Sequence, residues 1–401
     1  MLRSPSVENA LLTDTPLQQR AVACFTECYR PLVNGVVASI DELRAGLEAA
    51  GVRVTIVAPH FPHESAGDNA VVRLPSLPLP TTTGYRFCVP YVSRAVRARV
   101  RSASIVHAHS PFVTGMLAAD IARRSGIPLV YTYHTRIDEY AHYARFEPRL
   151  ARVALTALTR AFANRAAAVI VPTRAMQQRL RDIGVRVPIA VVASAIDVAR
   201  FAGGRRTAAA RALLGACDGE RIALCVARVA REKNLELAVD ALARVPGVRL
   251  AIVGGGPDRA QLESRAVRLG VRERVHFTGA LDPAALPDLY ASSDAFVFPS
   301  TTETQGLVLA EASATGLPVA AVDTPVNREV LGGFGRLVAP DAVALAAGLG
   351  WALEQPRDVA AAADAGRRFG RASQTAAVME VYESVSLCRT FGTPVREYTP
   401  G

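Results

Sequence analysis

The strongest constraint on what this chain can fold into is an alternation, sustained along nearly its whole length, of short Val-, Ile- and Ala-rich runs with longer amphipathic stretches. Runs at 21–25, 52–58, 104–108, 128–133, 168–171 and 189–193 read as strands, with helices at 36–50, 113–125, 148–166 and 174–183 between them. A small, polar stretch at 202–207 reads as a linker, and after it the pattern restarts. Strands are expected at 221–227, 249–254, 274–278, 294–299 and 318–323, and helices at 234–244, 257–269, 306–316 and 341–353. Strands that are apolar throughout and separated by helices belong to parallel sheets covered on both sides. The expected fold class is α/β, with two doubly wound, Rossmann-like domains facing each other across a cleft. The domains divide as 1–203 and 204–370, and 371–401 forms a C-terminal helix followed by a frayed tail carrying Pro394 and Pro400. Ligands of doubly wound sheets sit beyond the carboxyl ends of the strands, which puts the site in the cleft.

Half of the 401 residues are hydrophobic and a fifth are charged, enough for sizeable cores and too little polar bias for disorder. The net charge of +10 lies in the first half: residues 1–200 hold 24 Arg against 14 acidic residues, and the remainder holds 22 basic against 22 acidic. Such a surplus suits an anionic membrane surface or serves solubility; no nucleic-acid-binding signature accompanies it, and nucleic acid is not expected as a partner. Arg94, Arg97 and Arg101 share one helical face, and Arg149, Arg152 and Arg160 recur opposite Leu150, Val153, Leu158 and Phe162. A basic amphipathic surface docks on anionic lipid, or else it is the solvated back of a helix that covers a sheet. Six cysteines without Cys-x-x-Cys spacing read as reduced thiols. The first 20 residues lack the apolar core of a signal peptide, and no run reaches the roughly 18 apolar residues of a membrane span. The expected location is cytoplasmic, peripheral on the inner face of the cell membrane.

Several segments carry residues suited to chemistry. In ACFTECYRPLVNGVV, Asn34 and Gly35 open a helix, so its first amides face a phosphate or sugar, or the segment is an ordinary turn. His107 and His109 close one strand, and Tyr133 and His134 close the next, marking one edge of the cleft. The His-x-His pair lacks a convincing third ligand, so no metal is expected. In CVARVAREKN, Arg228 and Lys233 sit five apart on the loop into a helix, and Lys233 is the single lysine among 46 basic residues. Two fixed cations there suit a diphosphate, or form a solvated pair. Gly254, Gly255 and Gly256 lie between a strand and a helix, allowing a nucleotide close to the backbone without forming a dinucleotide fingerprint. In TETQGLVLAE, Glu303 stands beside the amides of Gln305, Gly306 and Leu307, with Glu311 on the helix that follows. Carboxylates can hold sugar and ribose hydroxyls, while the amides hold phosphate.

Taken in order, NGV, PHF, HAHSPF, TYHT, R-x-x-x-x-K, GGGP and E-x-x-x-x-x-x-x-E resemble the family 4 retaining glycosyltransferases of the GT-B fold, over residues 20–385 or so. The resemblance implies transfer of a hexose from a nucleotide-diphosphate sugar with no cofactor and no required metal. It implies catalytic roles for His134, Arg228, Lys233 and Glu303, the two cations stabilising the departing diphosphate and Glu303 holding the hexose. It implies donor contacts from Asn34, Gly35, Gly255, Gln305, Gly306, Leu307 and Glu311, the last on the ribose, and an acceptor side at His109, Tyr133, Arg149 and Arg152. The C-terminal helix would cross back to the first domain. Family members usually carry Phe where this chain has Gln305. The TETQG segment with YHTRIDEYAHY looks most like bacterial glycolipid synthases that glucosylate diacylglycerol. That favours UDP-glucose and a lipid acceptor, with GDP-mannose or a soluble acceptor as alternatives.

Overall fold

The structure, a computed structural model, describes residues 21–62, 67–79, 84–139, 147–217 and 219–391. The N-terminal 1–20, the YAHY part of YHTRIDEYAHY and the tail with Pro394 and Pro400 lie outside the described residues.

Nine strands come first: β1 (Ala21–Phe25), β2 (Arg53–Pro59), β3 (Val71–Leu74), β4 (Ser76–Pro78), β5 (Arg86–Cys88), β6 (Ile105–Ala108), β7 (Leu129–Thr132), β8 (Ala168–Val171) and β9 (Ile189–Val191). Seven of them form a parallel sheet in the order β3-β2-β1-β6-β7-β8-β9, and β4 and β5 make a separate antiparallel ribbon. The second sheet comprises β10 (Arg221–Val226), β11 (Val248–Val253), β12 (Val275–Gly279), β13 (Ala295–Phe298), β14 (Val319–Val322) and β15 (Arg336–Val338), ordered β12-β11-β10-β13-β14-β15. Both orders run outward from a central strand and then reverse, so each sheet has a topological switch point, between β1 and β6 and between β10 and β13. Val, Ile and Ala fill these strands because both faces are covered.

Several helices begin where a short polar side chain takes an orphan amide. Asn34 caps Gly35–Ala49, Thr173 caps Arg174–Asp182, and Thr324 caps Pro325–Leu331. The last helix, Arg371–Phe391, packs against Gly35–Ala49. Its Val378, Val381, Tyr382 and Val385, spaced to share one helical stripe, are buried in the core beneath the first sheet. At about 1.5–3 kcal/mol for each large apolar side chain removed from water, this stripe secures the crossing helix to the first domain.

Residues just before the 203/204 division already contact the second domain. Ile196 already donates its amide to Phe369, and Phe201 packs edge-on to Tyr290 of the second domain. The GGRRT stretch is tied down as well: Arg205 and Thr207 amides bond Asp288 and Ser292, Arg206 pairs with Asp294, and a Cβ at Gly204 would lie 2.3 Å from the Pro287 carbonyl oxygen. Small polar residues serve here for close packing rather than for freedom. No helix among the described residues is long and apolar enough to cross a membrane.

Candidate active site

At the second sheet's switch point, β10 leads into a 3-10 turn at Arg231–Lys233 and β13 leads into the loop 299–306. Lys233 Nζ lies 2.7 Å from Glu303 Oε1, which also accepts the Ser300 hydroxyl at 2.7 Å. Burial alone would raise the Glu303 carboxyl, but the Lys233 charge and the hydrogen bonds from Lys233 and Ser300 outweigh it and hold the group below its ordinary value. Arg228 pairs with the buried Glu232 at 3.0 Å, and Thr302 bonds the Glu232 carbonyl at 2.8 Å. The loops after β10 and β13 therefore present two adjoining ion pairs, Lys233 with Glu303 and Arg228 with Glu232. Gly306 adopts φ 74°, a left-handed conformation that favours glycine, and turns the loop into the helix Leu307–Ala314. On that helix Glu311 accepts the Tyr290 hydroxyl at 2.7 Å, and burial pushes its carboxyl up to about 7 against that hydrogen bond.

The first sheet's switch point carries imidazoles instead. His107, at the end of β6, is wholly buried and bonds the Tyr382 hydroxyl through Nδ1 at 2.8 Å and the Thr132 hydroxyl through Nε2 at 2.7 Å. The His107 and His109 ring centroids are 4.2 Å apart, and His109 stacks on His134 with Nδ1 and Nε2 2.8 Å apart. Burial lowers all three: His107 to about 3, His134 to about 4, and His109 well below its ordinary value, with the neighbouring imidazoles adding to the shift at His107 and His109. These rings are neutral at pH 7. His109 Nε2 is buried and has no hydrogen-bond partner among the described residues. Cys24, His107 and His109 bring ligand atoms within 4.8 Å of one another. Both His107 nitrogens are engaged, and burial pushes the Cys24 thiol up to about 12. Across the cleft, a Cβ at Gly35 would meet Leu307 at 3.5 Å, so the two helix starts nearly touch.

The profile described as Glycosyl transferases group 1 matches residues 208–369, and that described as Glycosyltransferase Family 4 matches residues 33–200. The alpha-monoglucosyldiacylglycerol synthase of Streptococcus pneumoniae is 32% identical over 314 residues, 76% of this chain and 71% of that protein. The chain belongs to glycosyltransferase family 4. A GDP-mannose-dependent alpha-mannosyltransferase of Mycobacterium tuberculosis is 34% identical over 316 residues, covering 77% of this chain and 81% of that one. The Anabaena protein HepE, solved in complex with UDP-glucose, shares the GT-B architecture with a TM-score of 0.72 at 20% identity, over 91% of this chain and 99% of that one.

In this hexosyltransferase the residues singled out in the sequence gather mainly at the two switch points, with Tyr133 and the Leu150/Val153 pair as departures. Tyr133, expected on the acceptor side, is 1% exposed and packs edge-on to Tyr131 in the core, beside Arg179 and Asp138. Of the three glycines, Gly254 and Gly256 are the ones held close, since a Cβ on either would strike the Ala227 or Val229 carbonyl oxygen at about 2 Å, whereas a Cβ on the exposed Gly255 would meet only the Ala280 amide at 3.8 Å. The tight approach there is to the chain's own backbone. Leu150 and Val153, expected opposite the arginines, are 66% and 67% exposed and share the outer face of Pro148–Ala163 with Arg149 and Arg152, while Ala151, Thr159 and Phe162 face inward. Gln305, expected to offer its backbone amide, is 3% exposed, and its side chain bonds Ser194 of the first domain. Sequence reasoning missed Tyr290, Thr304 and Tyr382; Tyr382 lies 275 residues from the histidine it bonds, and no local signal marks it.

Proposed function

We propose that this glycosyltransferase moves glucose from UDP-glucose, with retention of configuration and without a required metal, to a lipid acceptor such as diacylglycerol at an anionic membrane surface. In this reading Arg228 and Lys233 neutralise the diphosphate as the glycosidic bond breaks, and the first amides of Leu307–Ala314 add their dipoles. Glu303, Gly306 and Leu307 hold the hexose, Glu311 the ribose, and Asn34 and Gly35 close the sugar side. Neutral His134 and His109 face the reacting carbon and the incoming hydroxyl as uncharged hydrogen-bonding groups.

The observation that carries the lipid acceptor is the outer face of Pro148–Ala163, where Leu150 and Val153 stand exposed among Arg149, Arg152 and Arg160. Leu77 and Phe87, a cross-strand pair on the β4–β5 ribbon, are exposed too, as is Tyr91 just before the arginine-rich helix Arg94–Arg101. Apolar side chains interleaved with arginine suit the boundary between headgroups and acyl chains. The likeness to a GDP-mannose-dependent enzyme supports a second donor reading. Both are tested by a turnover screen against UDP-glucose, UDP-galactose, UDP-N-acetylglucosamine and GDP-mannose, with and without diacylglycerol in anionic liposomes. Turnover of UDP-glucose that requires lipid is the expected result. Turnover of GDP-mannose moves the donor, and lipid-independent turnover moves the acceptor.

A further inference from the structure

The donor loop is held from both sides. Toward its own domain, Glu303 meets Lys233 and Thr302 meets Glu232. Toward the other domain, the next two residues make four hydrogen bonds. Thr304 Oγ1 donates to the His134 carbonyl at 2.7 Å, and the Thr304 carbonyl accepts the Thr173 hydroxyl at 2.9 Å. The Gln305 carboxamide accepts from Ser194 N at 2.7 Å and donates to Ser194 O at 2.9 Å, satisfying both backbone groups of one residue as a neighbouring strand would. Gln305 and Ser194 are both buried, so an apolar residue at 305 would leave the Ser194 amide and carbonyl unpaired away from water. The Phe that usually occupies this place in the resembled family cannot make these bonds.

We propose that Thr304 and Gln305 are positioning residues that latch the loop bearing Glu303 to the first domain, fixing the separation between Glu303 and the His109/His134 pair across the cleft. The argument is geometric. Thr304 directly follows Glu303 and grips the backbone of His134 itself, so one rigid turn sets the carboxylate of one domain against the imidazole of the other. A misplacement of about 1 Å between reacting groups costs on the order of 10²-fold in rate, which is the scale on which a latch matters. The proposal rests on sugar transfer in this cleft, and not on which sugar or acceptor is used.

The test uses the full chain with Thr304→Val and Gln305→Leu, singly and together, and Thr304→Ser as the variant that keeps the hydroxyl. Gln305→Glu, which sets a carboxylate oxygen against the Ser194 carbonyl with little change of shape, serves if the leucine variant does not fold. Turnover with the nucleotide sugar identified by the screen is expected to fall about 10²-fold in the double variant, with donor KM close to that of the parent and Thr304→Ser near the parent in both. In parallel, small-angle scattering of the substrate-free proteins is expected to show a larger radius of gyration for the double variant. Unchanged kcat and scattering in the double variant would overturn the latch. So would a kcat loss that Thr304→Ser shares in full, because the hydroxyl would then not be the cause. If the parent turns over none of the four sugars, the donor reading fails while scattering alone still decides the latch.

Discussion

Where β10 and β13 end, the molecule gathers paired charges; where β1, β6 and β7 end, it gathers imidazoles that burial keeps neutral. Both are switch points of similar doubly wound sheets, so topology alone does not distinguish them. The difference lies in what surrounds each side chain. Lys233 and Glu303 meet from the loops after β10 and β13 and compensate one another, whereas the histidine rings pack against one another with no carboxylate among their hydrogen-bond partners in the described residues. A leaving diphosphate gathers negative charge and rewards fixed cations; a sugar and an acceptor hydroxyl do not, and a cation beside a developing positive sugar centre would oppose the reaction.

The largest expected effect comes from breaking the charged side. Lys233→Met removes the ammonium and leaves Glu303 unpaired; turnover should fall by about 10²–10³-fold, roughly 2.7–4 kcal/mol, with the cooperative melt retained. Near-normal turnover would take the lysine out of the mechanism. Acid tests the neutral side. Because folding lowers the pKa of His107, His109 and His134, the unfolded chain takes up their protons first, so stability should decline as pH falls through about 6.5 toward about 3. Melting temperatures across that range check this, and a His107→Gln variant whose decline matched the parent's would show that the buried rings are not its source.

A smaller effect separates the outer surfaces of the domains. Arg149→Glu with Arg152→Glu should weaken partition onto anionic vesicles by about 1 kcal/mol per arginine lost, an effect that salt diminishes, while Leu150→Ser with Val153→Ser should weaken it at every salt concentration. Equal vesicle binding by parent and both variants would remove this face from the membrane reading. The smallest effect concerns Glu311. Its raised pKa means the folded state holds an extra proton between about 4.3 and about 7, so its share of stability is lost as pH rises through 7. Tyr290→Phe removes a hydrogen bond that favours the charged carboxylate. It should cost about 1 kcal/mol and move the Glu311 titration upward, read by carboxyl carbon NMR; a downward move would contradict the assigned bond.

Much of this was legible along the chain. The apolar runs located eleven strands of the two main sheets to within one or two residues at each end, since a strand buried on both faces has to be written in Val, Ile and Ala. The edge strands β3 and β15 and the β4–β5 ribbon escaped because, half covered, they carry Arg, Pro and Ser in place of a continuous apolar run. The catalytic candidates were visible as unusual residues in loops after strands, a lone lysine and a Gly-flanked glutamate among them. Tyr133 misled because a strand-end tyrosine reads the same whether its ring turns into the core or toward the cleft.

The sequence by itself determined the parallel sheets, the strand-end loops and the inventory of charges, because each follows from periodicity and from residue types within a few positions. Only the tertiary structure decided which of those residues meet. It set Lys233 on Glu303, Tyr382 on His107 and Gln305 on Ser194 across separations of 70, 275 and 111 residues, and it turned Leu150 and Val153 outward. The physical reason is that burial, pKa and hydrogen-bond satisfaction belong to neighbours in space, and in a doubly wound pair of sheets those neighbours arrive from distant strands.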